Sequence, residues 1–167
     1  MNTLTLRNVG SLPYAAEEAL NRLRINLNFC GDNFKKIVIT SSTPGEGKSH
    51  ISVNLWRMLA SSGKNVVLVD SDIRKSMMRS RYQISSGERD YMGLTHYLAG
   101  KVPLVDVIYE TNVRNAYLVP TSHTVFNPTL LLQSKRFGLM LDALAEKFDY
   151  VLVDTPPLTN VADGALI

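Results

Sequence analysis

Residues 35–49 read KKIVITSSTPGEGKS. The first six, KKIVIT, form a short run rich in β-branched residues, the composition of a buried strand. A loop with Gly45 and Gly47 follows, and Lys48 and Ser49 open a segment with helical periodicity. Phosphate binding needs backbone N–H groups aimed inward and the positive end of a helix behind them. It also needs a lysine for the outer phosphates and a hydroxyl for magnesium. The pattern is G-x-x-x-x-G-K-[ST], except that Ser42 stands at the first glycine. That residue only leaves the strand, so serine suffices. A plain turn between strand and helix is the alternative, and the strand–loop–helix order argues against it. The candidate cradle is Thr43, Pro44, Gly45, Glu46, Gly47, Lys48, Ser49 and His50.

Outward from this loop, strands and helices alternate. A helix is expected over 48–62, with Ile51, Leu55 and Leu59 on one face and Gly63 as its stop. NVVLVD, residues 65–70, reads as a second buried strand. Upstream, residues 15–29 place Ala16, Leu20, Leu23 and Leu27 on one helical stripe. Residues 71–116 are polar at first and then contain the short amphipathic GLTHYLAG, residues 93–100. A strand is expected at AYLVP, then a helix over 129–147 with Leu130, Phe137, Leu141 and Leu144 inward. YVLVD, residues 150–154, is a further strand, DTPP breaks the pattern, and a new helix is expected near Asp163. This alternation predicts a three-layer α/β/α fold of the P-loop NTPase type around a mostly parallel sheet. Ligands of such sheets bind at the carboxyl ends of the strands. One domain is expected: an N-terminal helical segment, 1–34, and a nucleotide-binding core, 35–167.

Composition narrows the function classes. The net charge of +3 is too mild for a nucleic-acid stripe, so no nucleic-acid partner is expected. Cys30 is the single cysteine, which excludes an internal disulfide and fits a cytoplasmic setting. His50, His96 and His123 lack zinc-like spacing. The start, MNTLTLRNVGSLPY, has no signal-peptide core, and no apolar run approaches the ~20 residues of a membrane span. A membrane role would go through a partner. Trp56 is expected to be packing, and the basic run Arg74, Lys75, Arg79 and Arg81 a solvated loop face.

Two more segments carry chemistry. VVLVDSDIR, residues 66–74, ends a strand with Asp70 and Asp72; VLVDTPP, residues 151–157, ends another with Asp154. A lone aspartate there is usually a turn or cap residue. Three beside one phosphate loop read as a magnesium site, to which the Ser49 hydroxyl adds a ligand.

SSTPGEGKS, VVLVDSDIRK and VLVDTPP together resemble the bacterial protein-tyrosine kinases, the BY-kinase family of capsule and exopolysaccharide synthesis. The second segment resembles that family's Walker A′ motif. GLTHYLAG, NPTLLLQS (residues 127–134) and the helix EEALNRLRINL resemble its lesser motifs, so the likeness runs through nearly the whole chain. The resemblance implies ATP and Mg2+ as cofactors. Lys48 would bind the β/γ-phosphates, Ser49 the metal, and Asp72 and Asp154 the metal through waters. Asp70 would accept the tyrosine proton. A membrane polysaccharide co-polymerase that controls chain length is the implied activator, and tyrosine-containing proteins are the implied substrates. The implied location is the cytoplasmic face of the membrane, reached through that partner. Homo-oligomerisation would use the helix of Glu18 and Arg24, weakened because Asn21 replaces an arginine.

Other departures are His96 and Leu130 in place of acidic residues and Ser76 in place of proline. Family members continue past the point matching Ile167 into more sheet and a tyrosine-rich tail, so the core is expected to be incomplete at its C-terminus. Weak self-labelling is then expected from the scattered tyrosines. Two other functions compete. One is a partitioning or division-site ATPase switch, opposed by Thr43 at the place of its signature lysine. The other is a shortened relative that binds nucleotide or partner without transferring phosphate.

Overall fold

The computed structural model describes residues 2–31, 33–87, 90–123, 125 and 128–158. The helix expected near Asp163 lies outside them. In chain order the elements are β1 (Thr3–Leu4), α1 (Tyr14–Asn28), β2 (Lys36–Ile39), α2 (Lys48–Ser61), β3 (Val66–Asp70), α3 (Met78–Arg81) and α4 (Leu94–Leu98). A 3-10 turn (Leu104–Val107), β4 (Tyr109–Thr111), β5 (Ala116–Val119), α5 (Pro128–Leu132), α6 (Lys135–Lys147) and β6 (Tyr150–Asp154) follow. The strands form one sheet in the order β1-β4-β5-β3-β6-β2. Every pairing is parallel except the antiparallel β4–β5.

Period-two alternation splits the core between the two faces of this sheet. Val66 and Leu68 of β3 and Tyr150 and Leu152 of β6 pack with Leu20 and Leu27 of α1 and with Val53, Leu55 and Leu59 of α2. Val67, Val69, Val151 and Val153 point the other way, onto Leu94 of α4 and Phe137, Met140 and Leu144 of α6. Trp56 is fully buried, and its Nε1 donates to the carbonyls of Val66 (3.2 Å) and Tyr117 (3.0 Å), so it locks α2 to the sheet. These are the three layers expected from the alternation.

Several local expectations change. KKIVIT is not a buried strand: among the described residues β2 pairs with β6 alone, and Val38 is 45% exposed. The helix expected over 129–147 is two helices. Ser134 has extended backbone (φ −66°, ψ 144°), and its Oγ donates to the Leu131 carbonyl at 2.6 Å, which ends α5 and restarts the chain as α6. The break rotates Leu130 outward, to 66% exposure, and turns Leu132 inward. Leu23 and Ile51 also face solvent, because α1 and α2 bury narrower stripes than their periodicity offers. β1, β4 and α3 are too short to leave a periodic signal in the sequence.

Candidate active site at the carboxyl ends of the strands

The three polar segments all emerge at the same edge of the sheet, after β2, β3 and β6. In the loop, Gly45 and Gly47 have φ of +85° and +87°, a region that favours glycine. The described non-glycine residues with positive φ are Gln83 and Asn115, so the position of Ser42 needs no glycine. Glu46 reaches back across the loop. Its Oε2 accepts from the backbone N–H of Ser42 (2.9 Å) and Thr43 (3.2 Å), fixing the loop's entry. The hydrogen bonds from Thr43 and then Ser42 hold this carboxyl below its usual range, against a small burial effect.

Beneath the loop, Lys48 opens α2 and turns inward. Its Nζ lies 3.0 Å from Asp154 Oδ1 and 3.2 Å from Ser49 Oγ. Ser52 Oγ, one helical turn on, donates to the same Asp154 oxygen at 2.8 Å. Lys48 and Asp154 are 9% and 1% exposed, so the pair is buried. Parallel pairing sets Asp70 level with Asp154. Asp70 is 2% exposed; its Oδ2 accepts from Ser76 Oγ, and its backbone carbonyl accepts from Thr121 Oγ1 at 2.8 Å. Burial pushes the Asp70 carboxyl up to about 7; the Ser76 hydrogen bond opposes this, and the charges of Asp154 and Asp72 add to it. Asp72 is also raised, by burial first, against the Lys75 N–H at 3.1 Å and the charge of Lys48.

A cleft of about 440 Å³ opens over these groups. Pro44, Gly45, Gly47, Lys48, Ser49 and Asp72 line it on the loop side. Arg74, Lys75, Met77, Arg81, Tyr82 and Pro156 line it opposite. A larger groove of about 510 Å³ between α1 and α2 holds Asn21, Arg24 and Arg57 but no glycine loop, so phosphate chemistry belongs to the smaller cleft. Glu18 of α1 pairs with Arg22 at 2.9 Å within its own helix.

The structure thus gathers most of the residues singled out in the sequence, with different access. Thr43, Glu46 and His50 lie outside the cleft lining; the first two brace the loop, and the His50 carbonyl accepts from Asn54 Nδ2 at 2.8 Å. Asp154 sits below Lys48, and Asp70 sits behind Ser76. Ser52, Ser76 and Tyr82 were not foreseen. Ser52 could have been, since it lies four residues after Lys48 on the same helix face. Ser76 and Tyr82 have no local signal.

Among the described residues no group of three or more His, Cys, Asp or Glu side chains gathers as a ready-made metal cage. Magnesium does not need one, because it keeps waters and takes one or two carboxylates with substrate oxygens. A hydroxyl (Ser49) and a carboxylate (Asp72) opening into one cleft, with Asp154 below, fit that donor chemistry.

Comparison with known proteins agrees with this fold. The AAA domain family matches residues 34–167. The tyrosine-protein kinase CpsD of Streptococcus agalactiae is 41% identical over 151 residues, which cover 90% of this chain and 65% of the relative. The chain therefore spans just under two thirds of that protein. The kinase domain of the Escherichia coli tyrosine kinase ETK superposes with a TM-score of 0.81 at 31% identity, covering 90% of this chain and 58% of that domain. The septum site-determining protein MinD of Pyrococcus horikoshii, solved with Mg-ADP, gives a TM-score of 0.65 at 25% identity, over 79% of this chain and 52% of that one. None of the described helices is long and apolar enough to cross a membrane. The chain belongs to the AAA domain family, and it is similar in sequence and fold to the bacterial tyrosine-protein kinases CpsD and ETK.

Proposed function

We propose that the chain binds ATP in the cleft beneath its glycine loop and transfers the γ-phosphoryl group to tyrosine hydroxyls of proteins. The observation that carries this reading is the buried Lys48–Asp154 pair at the start of α2, set beside the strand-end carboxylates Asp70 and Asp72. Gly45 and Gly47 let the backbone approach the phosphates, and the N-terminus of α2 stands behind them. Lys48 swings between Asp154 and the outer phosphates. Ser49 and Asp72 would hold magnesium, with Asp154 acting through water. The metal, when bound, neutralises charge on the phosphate oxygens. Asp70 accepts the acceptor's proton. The apolar wall of Met77, Tyr82 and Pro156 suits an aromatic acceptor ring.

The same reading places the chain in exopolysaccharide or capsule synthesis, activated at the membrane by a chain-length regulator. The similarity to CpsD and ETK supports the kinase over a MinD-like switch, as does Thr43 at the place of that group's signature lysine. The test is phosphotyrosine formation on a tyrosine peptide with ATP and magnesium, with and without the activator. Product is expected from the parent and not from Lys48→Met. ATP-dependent dimerisation without any phosphotyrosine would contradict the kinase.

A further inference from the structure

As sequence, Arg74, Lys75, Arg79 and Arg81 read as one solvated basic face. The structure divides them. Arg79 does not line the cleft: its Nη2 lies 3.3 Å from the Asp90 carboxylate, and its guanidinium stands over the Tyr91 ring at 5.0 Å. Arg74, Lys75 and Arg81 line the cleft, on the wall across from the glycine loop. The Lys75 N–H donates to Asp72 Oδ1 at 3.1 Å, which fixes the backbone there. Arg81 lies beside Tyr82, whose Oη is 3.5 Å from the Ser49 carbonyl at the start of α2. Little in the cleft offsets the charge of this wall. Lys48 is already matched by the buried Asp154 at 3.0 Å. Among the described residues that line the cleft, Asp72 is the one carboxylate, and it is a candidate magnesium ligand. Among the described residues, neither Lys75 nor Arg81 has a carboxylate within ion-pair distance. Both side chains are exposed.

We infer that Lys75 and Arg81 select an acidic acceptor, a protein segment whose tyrosine is flanked by aspartate or glutamate. The inference rests on the tyrosine-kinase reading and names the substrate class of that same cleft. Met77, Tyr82 and Pro156 form the apolar part of the wall, against which the acceptor ring packs. Lys75 lies two residues before Met77, and Arg81 adjoins Tyr82, so each cation stands next to that apolar surface in the chain. A tyrosine seated there carries its neighbours past both. The nucleotide phosphates have their own partners on the other side, in the loop N–H groups, Lys48 and the metal. Carboxylates on the acceptor's flanks therefore supply the counter-charge that the wall lacks, and a basic flank is repelled. The contacts form at the solvated mouth of the cleft. Each changes affinity only about a few-fold, and salt screens it. Lys75 and Arg81 meet the flanks of the acceptor and not its reacting hydroxyl, so they set preference and not chemistry.

The experiment compares a peptide with glutamates on both sides of its tyrosine and the same peptide with glutamines in their place. It uses the full chain as the parent, the double variant Lys75→Gln with Arg81→Gln, and the double variant Lys75→Glu with Arg81→Glu. The quantity read is the ratio of kcat/KM for the two peptides with ATP and magnesium. The parent is expected to favour the glutamate peptide by about fivefold or more at low salt. That preference should shrink between about 0.01 and 0.15 M salt, as the screening length falls from about 30 to about 8 Å. The glutamine variant should lose most of the preference, and the glutamate variant should reverse it. Arg79→Gln removes the same charge away from the cleft and should keep the preference. A parent with no preference would overturn the inference. So would an equal loss on both peptides in the glutamine variant, which would assign the two cations to the nucleotide. A loss of preference in Arg79→Gln as large as in the glutamine variant would overturn it as well, since net charge alone would then be at work. If the parent phosphorylates neither peptide, the kinase reading fails, and binding decides the selection. Fluorescence anisotropy of the two peptides, with phenylalanine for tyrosine, then gives the answer. Tighter binding of the glutamate peptide that the glutamine variant loses supports the inference, and equal binding of both peptides contradicts it.

Discussion

β2 and β3 look alike as sequence. Each is a short β-branched run that leads into a polar turn carrying part of the site. In the fold they differ. Every residue of β3 is buried between β5 and β6, whereas β2 alternates exposed and half-buried and leans on β6 alone among the described residues. The site therefore has two halves with different support. Asp70 and Asp154 are fixed by the centre of the sheet. The glycine loop hangs from the rim and is steadied by Glu46 and by the start of α2. Charge is held rigidly where the core is densest, and the backbone that must meet a ligand sits where the core is thinnest.

The contrast breaks most easily under truncation. Leu152→Ala on β6, at a fully buried position, is expected to cost about 2–4 kcal/mol. Val38→Ala on β2 should cost less than about 1 kcal/mol. Urea unfolding of both variants checks this, and equal costs would mean that β2 is as deeply supported as the centre.

Next in size is a pH effect confined to the central half. Asp70 is raised from 3.8 to about 7 by burial. Below about pH 4 the folded and unfolded chains both hold this proton, and the group costs nothing. As pH rises to about 7 the unfolded chain ionises first, so stability falls; above that the deficit is constant. A shift of this size corresponds to on the order of 4 kcal/mol. Asp70→Asn should therefore gain on the parent steadily between about pH 4 and pH 7, without nucleotide or metal, as read by unfolding midpoints. A pH-independent difference would show that Asp70 is not held in this way.

The smallest expected effect belongs to the rim. Glu46→Gln keeps an acceptor for Ser42 and Thr43 but removes its charge. It should raise the KM for ATP a few-fold and leave the unfolding midpoint in place. A large loss of stability would contradict the picture of a locally braced loop. Self-labelling sharpens the same point. Six of the seven tyrosines are buried or half-buried, and Tyr14 is 80% exposed, so Tyr14→Phe should remove most residual self-phosphorylation.

The central half was the more legible in the sequence. Asp70, Asp72 and Asp154 follow uninterrupted apolar runs, and such runs announce both the strand and its carboxyl end. Lys48 and Ser49 were legible because the loop chemistry is local. The rim was not. KKIVIT has the composition of a central strand, and nothing within it reports how many neighbours it will have. The break at Ser134 was hidden because leucines continue on both sides of it. Ser76 and Tyr82 reach the site only through tertiary packing. The burial of Asp70 behind Ser76 depends on how the chain after β3 folds back.

The central claim is that the carboxylate at the end of β3 serves transfer and the lysine beneath the loop serves binding. The most direct measurement pairs ATP affinity by calorimetry with single-turnover phosphate transfer to a tyrosine peptide, in the parent, Asp70→Asn and Lys48→Met. The account expects Asp70→Asn to bind ATP within about twofold of the parent and to transfer at least about a hundredfold more slowly. It expects Lys48→Met to lose about tenfold or more in affinity. Transfer by Asp70→Asn at the parent rate, or undiminished ATP binding by Lys48→Met, would contradict it.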